Sequence, residues 1–278
     1  LRKSILIRKY LENLNLINKK SYIGVYKNTK DLIEDLKKKN INELIGDNDI
    51  KQDHINLLNK NNLNAISNFE SKSTWLERES FLCHALTLYS KNEISVLDIG
   101  GGFKPCYFTL RQSLTQNIKC HVIDFDNIVK SAKKIFSSIS NLTYSSHYPE
   151  NKNYDVVYFG SSIQYFENLE NIFKKIKKYK PHLIVFSYSS FATKNRTFTT
   201  GAYTFNRKYI TPHTVYNFDE FIDFFSTHNY ILKHKSLMEK YDIKFKDSLD
   251  IETRIYNLVF ENSENAKYSN RIIRKISS

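Results

Sequence analysis

Between residues 94 and 191, short apolar runs rich in β-branched residues alternate with longer segments that have helical spacing. The apolar runs are ISVLDIG, KCHVIDFD, YDVVYFG and HLIVFSYSSF, and the segments between them are YFTLRQSLT, NIVKSAKKIFSSI and NLENIFKKIKKY. Strands that alternate with helices assemble into a parallel sheet, and near-continuous apolar strands indicate a sheet that is covered on both faces. This alternation predicts an α/β fold with a Rossmann-like, mostly parallel sheet.

The sequence on either side of this region follows other patterns. Residues 1–90 are rather polar and mostly helical in spacing, and Thr29 is the predicted N-cap of one of these helices. Near the other end, FDEFIDFFSTHNY predicts a helix, and YILKHKSLMEK and RIYNLVFEN predict an antiparallel pair of strands that closes one edge of the sheet. We therefore expect a helical N-terminal extension (1–90), a Rossmann-like domain (91–264) and a basic C-terminal tail (265–278).

Three of the seven glycines, Gly100–Gly102, directly follow the first apolar run. Glycine permits close backbone approach, and a helix that follows it offers unpaired N–H groups to an anion. The cluster therefore predicts a site for NAD or for S-adenosylmethionine (SAM). Asp98 before the glycines, and Pro105 where a dinucleotide motif has its third glycine, favour SAM, as does the antiparallel closing pair. Asp124, at the end of the second run, would hold ribose hydroxyls in either case.

The motifs VLDIGGG, VIDFDNIVKSAK and YDVVYFGSSIQYFENLENIF resemble those of class I SAM-dependent methyltransferases. More narrowly, SYIGVYKNTKDLIEDL, SSIQY and YNFDEFIDFFSTHNYIL resemble methyltransferases encoded in bacterial surface-polysaccharide (lipopolysaccharide and capsule) gene clusters. The resemblance covers about residues 21–260. Two positions depart from the pattern, since Lys104 replaces a glycine of the loop and Asp124 stands where a glutamate is common.

The resemblance implies SAM as cofactor and a set of residues that hold it at the ends of three strands. These cofactor-binding residues are Asp98, Gly100, Gly101, Gly102, Asp124, Phe125, Ser161 and Ser162. Asp124 would bind the ribose and Phe125 would pack on adenine, with ordinary core packing as the alternative for Phe125. Gln164 and Tyr165 would face the methyl acceptor.

A hydroxyl acceptor benefits from a base that removes its proton, whereas an amine needs less help. The candidates for a catalytic role are His147, His213 and Tyr165, with His84 as a further histidine near the first strand. A lone histidine is more often structural, so the sequence leaves the choice among them open.

The stretch FATKNRTFTTGAYTFNRKYITPH (191–213) combines basic and aromatic residues without an acid. We expect a loop that grips a sugar phosphate or RNA, with a solvated surface loop as the alternative. Together with Gln164, the candidate substrate-binding residues are Arg196, Tyr203 and Arg207.

The composition narrows the remaining function classes. The net charge of +13 invites nucleic-acid binding, but abundant Lys, Asn and Ile together indicate a compositional bias. Cys83, Cys106 and Cys120 have no metal-ligand spacing, so we expect a cytoplasmic protein without a structural metal. The predicted function is methyl transfer to a small-molecule or carbohydrate acceptor, which can be anionic. An RNA methyltransferase and a degenerate, non-catalytic binding subunit remain as alternatives.

Overall fold

The computed structural model of the protein describes residues 22–39, 41, 76–87, 91–204, 209–244 and 250–264. These residues form ten strands: β1 (Tyr22–Tyr26), β2 (Glu93–Ile99), β3 (Asn117–Ile123), β4 (Leu142–Ser145), β5 (Val156–Gly160), β6 (Leu183–Ala192), β7 (Phe198–Thr204), β8 (Tyr209–Asn217), β9 (Tyr230–Lys244) and β10 (Asp250–Asn262). They also form six α-helices: α1 (Thr29–Lys38), α2 (Leu76–Thr87), α3 (Tyr107–Ser113), α4 (Asp126–Ile135), α5 (Leu169–Lys177) and α6 (Phe218–Thr227).

The main sheet has the strand order β4-β3-β2-β5-β6-β10-β9. Strands β2 to β6 pair in parallel, and β10 is antiparallel to both of its neighbours, β6 and β9. The prediction of a mostly parallel, Rossmann-like sheet that is closed by an antiparallel pair is thereby confirmed. Within the described ranges, none of the helices combines the length and apolar character that a membrane crossing requires.

Helices cover both faces of this sheet, as the continuous apolar strands predict. One face packs α2, α3 and α4 against residues such as Val96 and Val122. The other packs α5 and α6 through a cluster of aromatic rings, in which Phe186 stacks on Phe159 with ring centroids 5.0 Å apart. Burial of each such ring stabilises the fold by about 1.5–3 kcal/mol.

A second, smaller arrangement adjoins the carboxyl edge of the main sheet. Strands β7 and β8 form an antiparallel hairpin, and β1 adds to the free edge of β7. Leu32 and Leu36 of α1 pack against Ile210 of β8, and the N–H of Thr29 donates to Glu167 Oε1 at 3.0 Å. The β1–α1 unit therefore joins the hairpin to the turn that follows β5.

Several sequence predictions differ from the structure. The stretch 191–213 is largely the hairpin β7–β8 rather than a loop, because β7 pairs with β8 on one edge and with β1 on the other, which buries Thr199 and Thr200. Part of the predicted helical extension is strand β1, and the N-cap of α1 is Asn28, whose side chain accepts from the N–H of Asp31 at 2.9 Å. Three of the predictions fall outside the described residues. They concern the helical spacing at the start of residues 1–90, the tail 265–278 and Arg207.

Candidate functional site

The three glycines form the turn that leaves β2 on the way to α3. Gly100 and Gly102 have φ angles of +77° and +58°, in the left-handed region that glycine adopts without strain. The N–H of Gly100 donates to the carbonyl oxygen of Ile123 at 2.8 Å, which ties the turn to the end of β3. The turn therefore lies at the carboxyl edge of the sheet, where open parallel sheets bind ligands.

The Asp98 carboxyl group lies beneath this glycine turn. The residue is 1% exposed, and its Oδ2 accepts a hydrogen bond from the N–H of Cys106 at 2.8 Å. A methyl group added at Gly101 would come within 2.6 Å of the same oxygen, so glycine is required there. The carboxyl group therefore shapes the glycine turn, and the cofactor contact that the resemblance implies for Asp98 stays a prediction.

Asp98 also belongs to a buried group with Cys106 and Cys120, whose possible ligand atoms all lie within 4.8 Å of one another. Burial raises the pKa of both thiols, so both are protonated at neutral pH. Cys106 and Cys120 are 0% and 2% exposed and pack within the apolar core next to the glycine turn.

Asp124 lies across from the glycine turn, at the end of β3. Its Oδ2 accepts from the N–H of Gly102 at 2.9 Å, and its Oδ1 accepts from the N–H of Phe125 at 2.8 Å. Among the described residues, a methyl group added at Gly102 would meet only Asp124 Oδ2 within 4 Å, at 4.0 Å. Within the described part of the chain, the space on the Cβ side of Gly102 is therefore a hollow bordered by the Asp124 carboxylate, a group that accepts hydrogen bonds from hydroxyl groups.

The ring of Phe125 lies beside Asp124 and is 53% exposed. Core packing, the alternative that the sequence leaves open, requires a buried ring, and this exposure contradicts it. An exposed aromatic face next to the hollow is suited to packing on a planar ligand.

A strained turn follows β5 and contacts the glycine turn. Ser161 has a φ of +60°, a left-handed conformation that is uncommon for a residue with a side chain. Its N–H donates to the carbonyl of Ser187 at 2.8 Å, and the Gln164 amide Nε2 donates to its carbonyl at 2.6 Å. The Ser162 hydroxyl donates to a backbone carbonyl at the end of β2, and its Cβ lies 2.7 Å from the position of a methyl group added at Gly100.

Tyr165 ends the short 3₁₀ helix Ile163–Tyr165 and meets His213 of β8. The two ring centroids are 6.2 Å apart in an edge-on arrangement. His213 is 8% exposed, whereas Tyr165 is 54% exposed. Desolvation of the hydroxyl raises the pKa of Tyr165, so the group is protonated at neutral pH. The structure therefore brings together two of the three predicted catalytic residues.

The other histidines lie elsewhere. His147 is exposed in the loop after β4, where its Nδ1 is 3.0 Å from the Ser146 hydroxyl oxygen. In the sheet order, β4 lies beyond β3 on the Asp124 side of the glycine turn, whereas β5 lies on the opposite side. His84 is exposed on α2 with its ring centroid 6.5 Å from that of His234, which is a surface contact.

The predicted substrate-binding residues are distributed over different elements. Gln164 is 6% exposed and lies in the turn after β5. Arg196 is exposed in the connection between β6 and β7. The backbone of Tyr203 pairs with that of Ile210 in the hairpin, and the side chain of Tyr203 lies outside the described part of the chain, as does Arg207.

Sequence reasoning missed a buried polar contact in the middle of β6. Tyr188 has a φ of +55°, and its N–H donates to the side-chain oxygen of Asn257 on β10 at 2.8 Å. Asn257 is 1% exposed. The hydroxyl run SYSS inside an apolar strand is the local signal, but the partner of Tyr188 is 69 residues away and no local pattern indicates it.

The fold of the chain is similar to that of several solved methyltransferase structures. A protein from Galdieria sulphuraria described as a sarcosine dimethylglycine methyltransferase has 8% identity and a TM-score of 0.49, over 68% of this chain and 86% of that chain. A SAM-dependent methyltransferase from Clostridium acetobutylicum has 13% identity and a TM-score of 0.44, over 72% and 96%. The 1,6-didemethyltoxoflavin-N1-methyltransferase of Burkholderia thailandensis, solved with S-adenosylhomocysteine, has 6% identity and a TM-score of 0.42, over 75% and 86%. No protein-family model matches the sequence, and no curated protein matches it.

Proposed function

We propose that this protein is a SAM-dependent methyltransferase. The observation that carries the proposal is the hollow on the Cβ side of Gly102, which is bordered by Asp124 and has the exposed ring of Phe125 beside it. The glycine turn allows close approach of a ligand, the carboxylate suits ribose hydroxyls and the ring suits adenine. When bound there, SAM would supply an activated methyl group whose transfer depends mainly on alignment with the acceptor.

The hydrogen bonds of the glycine turn favour SAM over a dinucleotide. A pyrophosphate needs free backbone N–H groups at the start of the following helix. In this turn the N–H of Gly102 donates to Asp124 and that of Cys106 donates to Asp98, and Pro105 has no N–H. Two backbone donors next to the glycines are therefore already engaged and a third position has none, whereas a carboxylate such as that of Asp124 suits ligand hydroxyl groups.

We further propose that the acceptor is a small molecule or carbohydrate used in bacterial surface-polysaccharide biosynthesis. The acceptor group would be a sugar hydroxyl or a phosphate- or phosphoramidate-type precursor. This finer assignment is supported by the resemblance of the SSIQY and YNFDEFIDFFSTHNYIL segments. The division into an N-terminal extension, a catalytic domain and a basic tail belongs to the same proposal.

An RNA acceptor is the second candidate, and the net charge of +13 favours it. RNA binding driven by phosphate contacts weakens steeply as salt rises. Affinity for a single-stranded RNA oligonucleotide, measured at two salt concentrations, tests this candidate directly. Tight, salt-dependent binding would support the RNA acceptor over the carbohydrate.

The central test is isothermal titration calorimetry with SAM, S-adenosylhomocysteine (SAH) and NAD⁺. We expect SAM and SAH to bind and NAD⁺ not to bind. Asp124→Asn should weaken SAH at least about tenfold, because a charge-assisted hydrogen bond is worth roughly 1.5–3 kcal/mol. Asp126→Asn, at the start of α4, is the matched control and should leave the affinity unchanged.

Absence of SAM and SAH binding would refute the proposal. Binding without methyl transfer to any tested sugar, sugar phosphate or RNA would favour the non-catalytic binding subunit.

A further inference from the structure

The glycine turn at the end of β2 has different neighbours on its two sides, because β3 and β5 flank β2 in the sheet. Asp124 ends β3, on one side of β2, and the turn carrying Ser161 and Ser162 ends β5, on the other side. If the ribose of a nucleoside ligand lies at Asp124, the rest of the ligand extends along the glycine turn towards Ser162, which contacts Gly100. The acceptor then lies beyond β5, and His147, beyond β3, is on the wrong side to reach it.

Strand β8 occupies the space directly beyond the carboxyl end of β5. One edge of β6 pairs with β10 along its length, and its other edge pairs with β5 up to Ser187. Beyond that point the same edge pairs with β8, where Phe191 is opposite Tyr216. Because β8 continues the line of β5, its residues stand over the turn that contacts the glycines.

His213 of β8 meets this turn through its edge-on contact with Tyr165. Its backbone partner on β7 is Thr200, which does not ionise, and Tyr165 is a titratable neighbour from the 3₁₀ helix. The side chain of His213 is 8% exposed and thus forms part of the wall itself, and histidine is the side chain that most often serves as a general base.

We propose that His213 is the general base of the reaction and that the acceptor group is a hydroxyl. The inference rests on the proposed function and deepens it. Beside His213, the turn after β5 carries the hydrogen-bonding side chains of Ser161, Gln164 and Tyr165, which suit a ligand with hydroxyl groups. A hydroxyl acceptor is also the kind that benefits from a base.

The proposed step balances without any further reactant. The acceptor oxygen forms a bond to the methyl carbon while the bond between that carbon and sulfur breaks, and the electron pair of the broken bond stays on sulfur. The hydroxyl proton passes to a ring nitrogen of His213, which later releases it to water. The products are a methyl ether and SAH.

The decisive measurement follows the imidazole titrations of the protein by NMR in its SAM and SAH complexes. SAM carries a positive sulfonium and SAH does not, and a nearby positive charge disfavours imidazolium. For a charge about 6 Å away, the titration midpoint of His213 should be lower with SAM than with SAH by about 0.5 to 2 pH units. The His147 midpoint should move less, because it lies on the ribose side.

Variants assign the signals and separate the two proposals. His213→Gln should remove one titrating imidazole signal. It should also keep the SAH affinity within about threefold of the unaltered protein, since His213 lies on the acceptor side. His84→Gln is the matched control, because it makes the same substitution at a histidine away from the site. Failure of SAH to bind the unaltered protein would overturn the proposed function and this inference together. Normal SAH binding with equal His213 midpoints in the two complexes, or with a larger shift at His147, would overturn this inference alone.

Discussion

Replacement of Gly102 by alanine tests the role of the hollow in ligand binding separately from the stability of the fold. The φ of Gly102 is +58°, so alanine there must adopt a left-handed conformation. The new methyl group would meet only Asp124 Oδ2 within 4 Å among the described residues, at 4.0 Å, so it enters the hollow rather than the core. At Gly100, by contrast, the methyl would lie 2.7 Å from Ser162 Cβ and would disturb the packing itself.

The expected magnitudes differ for folding and for ligand binding. A left-handed alanine costs about 1–2 kcal/mol of folding free energy. For a domain of this size, that cost lowers the melting temperature by roughly 2–8 °C. The affinity for the ligand should fall as well, because the methyl group occupies space that the ligand needs. We expect at least about a tenfold loss of SAH affinity, equivalent to about 1.4 kcal/mol beyond the folding cost.

Calorimetry with SAH and thermal unfolding without ligand measure the two effects separately. Asn229→Ala is the matched control, because Asn229 also has a left-handed φ, of +66°, in an exposed turn before β9. It should lower the melting temperature slightly and leave SAH affinity unchanged. If Gly102→Ala bound SAH as tightly as the unaltered protein, the hollow would not be the ligand site and the reasoning would fail.

Three further predictions concern buried polar groups. Burial lowers the pKa of His121 to about 4, so the unfolded chain, with a pKa near 6.5, binds more protons between these values. The free energy of unfolding should therefore decrease as the pH drops from 6.5 to 4, by about 3 kcal/mol at most. Urea titrations at several pH values measure this decrease, which should be smaller for His121→Gln. Thr109→Val should lower the unfolding free energy by about 1–3 kcal/mol, because it deprives the buried Glu79 carboxylate of a hydrogen bond, whereas Thr109→Ser should restore it. Asn257→Leu should accelerate hydrogen exchange at the Tyr188 amide, and unchanged exchange would show that the amide is protected by other contacts.

The β1–α1 unit is connected to the site through the hairpin β7–β8 and the turn after β5. The Thr29 N–H bond to Glu167 and the packing of Leu32 against Ile210 connect β1 and α1 to the elements around Tyr165. These connections keep β8, and with it His213, over the end of β5. The β1–α1 unit therefore supports the proposed acceptor wall.

Much of the site could be predicted from short stretches of sequence. Gly100–Gly102 and Asp124 lie at strand ends, and parallel strands bring their carboxyl ends to one edge. The contacts of Asp98 with the Cys106 N–H and the Gly101 position could not be predicted in the same way, because they depend on the path of three glycines. The exposure of Phe125 likewise depends on what covers it, which the local pattern does not contain.

Periodicity along the chain determined the alternating strands and helices, the antiparallel closing pair and the position of the glycine turn, because each depends on which neighbouring residues are buried. Tertiary structure alone decided that β1 joins β7, that β8 follows the line of β5 and that Tyr165 meets His213. Those contacts join residues far apart in the chain, and their free energy depends on which surfaces meet after the strands have assembled. No short-range pattern records that choice.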